Sequence, residues 1–146
     1  MSRGTPTLVI LTFLVLTMNH LASVFGWYTE LPWFDMVMHA LGGAWIAAIA
    51  IVVGARRFPN FFGVPFPKNL LRVVIAVLAA GALWEVYELG FAAWATAAHG
   101  DLGFYQPWTD TASDFFFDAA GAAFAGTLLL NFSRGGDLRA PRDRAL

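Results

Sequence analysis

The chain has 146 residues, 58% of them hydrophobic and 13% charged, with a net charge of −1; soluble domains carry nearer a quarter charged residues. Its apolar runs are long enough to cross a hydrocarbon core of about 30 Å, which excludes an ordinary soluble domain. The absence of cysteine excludes disulfides, thiolate metal ligands, thioether-linked haem and cysteine nucleophiles, and nothing resembles a nucleic-acid-binding footprint.

Four apolar stretches predict four transmembrane helices. The first, over about residues 7–28, follows a head carrying Arg3 and ends in an aromatic anchor at Trp27 and Tyr28. No small-x-small cleavage site follows its apolar core, so it reads as a retained helix rather than a signal sequence. After the Glu30-Leu31-Pro32 turn, the second stretch spans about residues 33–54 and stops at Arg56-Arg57. The loop beyond is basic and contains Pro59, Gly63, Pro65 and Pro67, which forbid a continuous helix. Phe58, Phe61, Phe62 and Phe66 are expected there at the lipid interface.

The third helix is expected over about residues 70–95 and the fourth over about 111–132. Between them lies a polar and aromatic segment with His99, Asp101, Tyr105 and Trp108. Residues 1–132 thus read as one four-helix transmembrane domain. Residues 133–146, rich in Gly, Arg and Asp and poor in apolar residues, are expected to form a disordered cytoplasmic tail.

Basic residues orient the bundle. Arg3, then Arg56, Arg57, Lys68 and Arg72, then Arg134, Arg139, Arg142 and Arg144 account for all 9 Lys and Arg. With four crossings, all of them lie on one side, and the positive-inside rule makes that side cytoplasmic, together with the N- and C-termini. The opposite end gathers acidic and histidine residues from all four helices. At about 1.5 Å of rise per residue, His20 lies about two turns inside the outer end of helix one. Asp35 and His39 occupy the first two turns of helix two. Glu85 and Glu88 lie two to three turns below the outer end of helix three, and Asp110, Asp114 and Asp118 descend helix four. The spacings i,i+4, then i,i+3, then i,i+4,i+8 keep each set on one helix face.

Ionised groups at such depth cost at least ~2.5 kcal/mol each on insertion scales and normally face a bundle interior with a partner. Every Lys and Arg lies at the other membrane face, so these carboxylates repel unless protonated, hydrated or bridged by a cation. A divalent metal ion (Mg, Mn, Fe or Zn) held by Asp35, His39, Glu85, Glu88 and Asp114, with His20 as a further candidate, fits this donor set. Glu85, Glu88 and Asp118 are the candidate catalytic residues, because neither capping nor surface solvation accounts for them. Plainer readings stand beside this one. Asp35 and Asp110 lie at helix N-termini suited to capping, Thr111 with Asp114 resembles a capping box, and His20 beside Asn19 suits an interhelical hydrogen bond. His99 and Asp101 read as solvated loop residues. Trp27, Trp33, Trp84, Trp94 and Trp108 read as an interfacial belt, and Gly42, Gly43, Gly121, Ala122, Ala125 and Gly126 as small faces for close helix packing.

The residues Phe34-Asp35-x3-His39-x2-Gly42, Glu85-x2-Glu88 and Asp110-Thr111-x2-Asp114 followed by Gly121-Ala122 resemble the YjdF-like family of small bacterial inner-membrane proteins. A looser likeness to VanZ-like membrane proteins rests on Asp-x3-His, a helix glutamate and a second acidic motif before glycine. The resemblance spans residues 31–130 and implies a multi-pass protein of the bacterial cytoplasmic membrane, with no reaction attached. Asp118 departs from the small or amide residue commoner at that position.

Three functional readings remain open on the sequence. A metal-dependent membrane hydrolase would act on a lipid-linked phosphate or ester. A proton- or cation-coupled transporter would use the acidic cluster as part of an ion path. A non-catalytic accessory protein would use it to lock four helices together. The sequence leaves oligomeric state undetermined.

Overall fold

The computed structural model describes residues 4–58, 65–100 and 108–137, and the description below concerns these. They are almost wholly helical, with no strand among them. Four helices are long and apolar enough to cross a bilayer: Thr5–Phe25, Phe34–Gly54, Phe66–His99 and Trp108–Asn131. The chain is therefore an all-α membrane protein built as a four-helix transmembrane bundle. Large apolar side chains such as Phe13, Leu83 and Phe124 point outward, as helices bathed in lipid require.

The helix boundaries differ from the sequence expectation for local reasons. The first helix, Gly4–Phe25, ends at Gly26, whose φ of +69° only glycine adopts readily, and a separate turn, Trp27–Glu30, follows. The Tyr28 hydroxyl then reaches back to donate to Asn19 Oδ1 at 2.8 Å. The second span runs as α-helix over Phe34–Ile49, widens into a π-helical turn at Ala50–Gly54 and ends in Ala55–Arg57. The third helix begins at Phe66, inside the proline-containing segment, because a proline in the first turn lacks only an amide that has no helical partner. It ends at His99, which is therefore helical, with Gly100 as its C-cap. The fourth helix starts at Trp108 and continues past Phe132 to Asp137. Pro59, Phe61, Phe62, Gly63, Asp101, Tyr105 and residues 138–146 lie outside the described residues.

The core lies in the half of the bundle away from Asp35. It joins Ala44, Ala47, Ala48 and Ile51 of the second span to Val73 and Val77 of the third and Ala122, Ala125, Leu129 and Leu130 of the fourth. The second and fourth spans form the most extensive interface. It depends on two glycines: a Cβ at Gly43 would collide with the backbone of Asp118, and one at Gly121 with the backbone of Ala40. Removing the side chain at these two points lets the helices touch backbone to backbone, the small-residue packing typical of membrane helices. The first span is the least packed of the four. It is tied to the second by a hydrogen bond of 2.8 Å from Trp45 Nε1 to Thr12 Oγ1.

Candidate functional site

The close crossing at Gly43 and Gly121 brings the first two turns of the second span against those of the fourth, and His39 meets three carboxylates there. Its Nδ1 lies 3.3 Å from Asp118 Oδ1. On the other edge of the ring, Nε2 lies 3.6 Å from Asp114 Oδ1 and 3.9 Å from Asp35 Oδ1. The three ligand atoms of Asp35, His39 and Asp114 fall within 4.8 Å of one another. An ion bound at about 2.0–2.2 Å would draw such donors in to roughly 3.0–3.6 Å of one another, a small closure from this spacing.

Burial makes the group unusual. Asp114 is 1% exposed, and its Oδ2 has no hydrogen-bond partner among the described residues. His39, Glu85 and Asp118 are buried as well. A buried acceptor without a donor is costly, and a cation beside Asp114 would satisfy it. The donor set of two carboxylates and one imidazole fits a divalent ion such as Mn, Fe or Zn, with Mg favoured if water completes the shell.

The third span supplies the other wall. Glu85 is buried and its Oε2 accepts a hydrogen bond of 2.7 Å from Thr111 Oγ1 on the fourth span. Glu88, one turn further out, is half-buried and accepts from the Trp84 side chain. Its charge is felt together with those of Glu85, Asp35 and His39, which sets it at the same cluster. Gly81 allows this wall to come close, because a Cβ there would strike Asp118 Oδ2.

Outside the spans, Tyr28 lies within electrostatic reach of Asp35 and Glu88. Its hydroxyl pKa is raised, first by burial and then by the negative charges of Asp35 and Glu88. Tyr28 and Trp27 both pack edge-on against buried Phe34, with ring centroids 5.5 and 5.3 Å away. Trp33, Trp84, Trp94 and Trp108 are exposed.

The structure thus brings together Asp35, His39 and Asp114 of the expected metal ligands, with Asp118 against His39 and with Glu85 and Glu88 alongside. His20 stands apart. It is exposed on the first span, in an open groove with Phe13, Leu16 and Thr17. A lone span that packs mainly on the second has no reason to turn this face inward. The capping readings also change. The N-cap position of the second span is Trp33, with no side-chain capping bond, and Asp35 turns toward His39. Thr111 bonds to Glu85 in the neighbouring helix, and Asp114 faces His39. Sequence reasoning missed Tyr28, Thr111 and Gly81 as site neighbours. Only Tyr28 carried a usable signal, through the glycine before it that permits a reversal.

Fold and site together define a class: a multi-pass, all-helical membrane protein with a buried acidic and histidine cluster at one end of its bundle. Within that class, the chain belongs to the family described as predicted membrane protein (DUF2238), whose model matches residues 3–135; this is the YjdF-like family. No curated protein and no solved structure matches the chain.

Proposed function

We propose that Asp35, His39 and Asp114 form a divalent-metal centre and that the protein is a metal-dependent hydrolase of a lipid-linked phosphate or ester. The observation that carries this reading is the group formed by Asp35, His39 and Asp114, three donors within 4.8 Å of one another, in which Asp114 keeps a buried Oδ2 with no hydrogen-bond partner among the described residues. Charge supports it too: three carboxyl groups surround one imidazole, so a bound cation would offset the mutual repulsion of those that ionise.

When bound, a divalent ion would polarise a phosphoryl or carbonyl oxygen and acidify a water molecule. Glu88 is the carboxylate placed to take the proton from that water, because it is half-buried on the outer side of the cluster rather than sealed within it. Thr111 holds Glu85 in place by its hydrogen bond, and Glu85 keeps the local field negative for the cation. Trp84 orients Glu88. The exposed tryptophans beside the cluster suit the headgroup region, where a lipid-linked substrate would present its polar end.

The cytoplasmic placement of both termini, the bacterial inner membrane as location and the outward-facing site belong to the same proposal, supported by the one-sided distribution of Lys and Arg. The close-packed apolar core below the cluster weighs against a continuous ion path. The position of His39 among three carboxylates also favours a second reading, in which a protonated ring locks the helices together with no catalytic role.

Phosphate release from phosphatidic acid and fatty-acid release from phosphatidylglycerol, measured in proteoliposomes, test the reaction. The expected result is activity on one of these lipids that a chelator abolishes, that added divalent ion restores, and that Glu88→Gln removes while the ion is retained. Absence of both releases, or release indifferent to chelator and to Glu88→Gln, would overturn the hydrolase and leave the helix lock.

A further inference from the structure

We infer that Asp118 is a positioning residue that fixes the ring tautomer of His39, keeping the proton on Nδ1 so that Nε2 offers its lone pair to the ion. The inference rests on the reading of Asp35, His39 and Asp114 as ligands.

Of the three carboxylate contacts made by the His39 ring, one is short enough to be a hydrogen bond: Nδ1 to Asp118 Oδ1 at 3.3 Å. The 3.6 and 3.9 Å separations from Nε2 to Asp114 and Asp35 exceed hydrogen-bond length. An ionised carboxylate only accepts, so Nδ1 donates. The neutral ring then carries its lone pair on Nε2, the edge that faces the other two donors. A metal-bound imidazole commonly donates its second nitrogen to a carboxylate in this way, which orients the ring and raises its basicity.

Two glycines from two other helices hold Asp118 in place. Its backbone rests on Gly43 of the second span, and its Oδ2 sits over Gly81 of the third, where a Cβ would strike it. Asp118 is 6% exposed. A structural carboxylate would need only a partner; this one is placed against the single ring nitrogen that does not face the candidate ion.

The variants Asp118→Ala, Asp118→Asn and Gly81→Ala test the inference. Gly81→Ala removes no donor, and its Cβ would clash only with Asp118 Oδ2 while making ordinary contact with Phe115, so the fold is expected to be retained while the carboxylate is displaced. The first readout is the ring 15N NMR spectrum of metal-free protein in alkaline buffer, with His39→Gln to assign the signals. Wild type is expected to show the Nδ1–H tautomer, and Asp118→Ala and Gly81→Ala a shift toward Nε2–H. Asp118→Asn, whose amide oxygen still accepts, should retain the Nδ1–H form. The second readout is Mn2+ affinity, expected to fall about 10- to 100-fold in Asp118→Ala, in the same direction in Gly81→Ala, and least in Asp118→Asn. An unchanged tautomer in both Asp118→Ala and Gly81→Ala would overturn the inference, as would loss of stoichiometric Mn2+ from Asp118→Ala equal to that from Asp114→Ala, which would make Asp118 a ligand. Wild type that shows the tautomer shift on mutation but takes up no Mn2+ would refute the ligand reading and leave the positioning role standing.

Discussion

His39 on the second span and Asp114 on the fourth face each other with Nε2 3.6 Å from Oδ1, too far for a hydrogen bond and close enough to share one ion. They come from helices whose backbones touch. The geometry of the site is therefore inseparable from the helix crossing that creates it.

Gly43 and Gly42 differ sharply in what a side chain would meet, although they are neighbours in sequence. Gly43→Ala drives a Cβ into the Asp118 backbone, whereas Gly42 has nothing within 4 Å. Gly43→Ala is expected to destabilise the bundle by about 1–3 kcal/mol, as overpacking does. Gly42→Ala should be neutral or stabilising by up to about 1 kcal/mol through helix propensity. Thermal denaturation in detergent separates the two, and equal effects would show that the spans do not cross at Gly43.

The convergence of acidic residues was legible in the sequence because helical spacing and the one-sided Lys and Arg distribution both constrain depth. Asp35, His39 and Asp114 were expected ligands, and they meet. Depth, however, says nothing of azimuth. His20 shares the depth of the cluster but faces outward, since the rotation of a helix about its axis is set by packing rather than by periodicity alone. The role of Gly81 was hidden for a related reason: only a three-dimensional register shows that a carboxylate of the fourth helix lies above it. The boundaries of the third helix were hidden by its prolines, which break a helix interior but are accepted in its first turn.

Thr111 ties Glu85 to the fourth span through a 2.7 Å hydrogen bond. Thr111→Val keeps the shape and removes the donor, and is expected to cost about 1–3 kcal/mol because the buried carboxylate loses a charge-assisted bond. Thr111→Ser retains the hydroxyl and should recover most of that loss. Chemical denaturation in mixed micelles measures both; a Thr111→Val protein as stable as wild type would show that the bond adds nothing.

Orientation can be read with single cysteines, because the natural chain has none. In intact cells, Lys68→Cys is expected to resist a membrane-impermeant maleimide and Thr109→Cys to react with it. The opposite labelling pattern would invert the bundle and place the acidic cluster on the cytoplasmic side.

Asp114→Ala removes a donor from the centre of the proposed metal site. The most direct test of the central claim is the divalent-metal content of wild-type and Asp114→Ala protein, purified in detergent and measured by elemental analysis after exhaustive dialysis. The account predicts about one ion for each wild-type chain and none in the variant. Wild-type protein that retains no divalent ion, or a variant that retains as much as wild type, would contradict it.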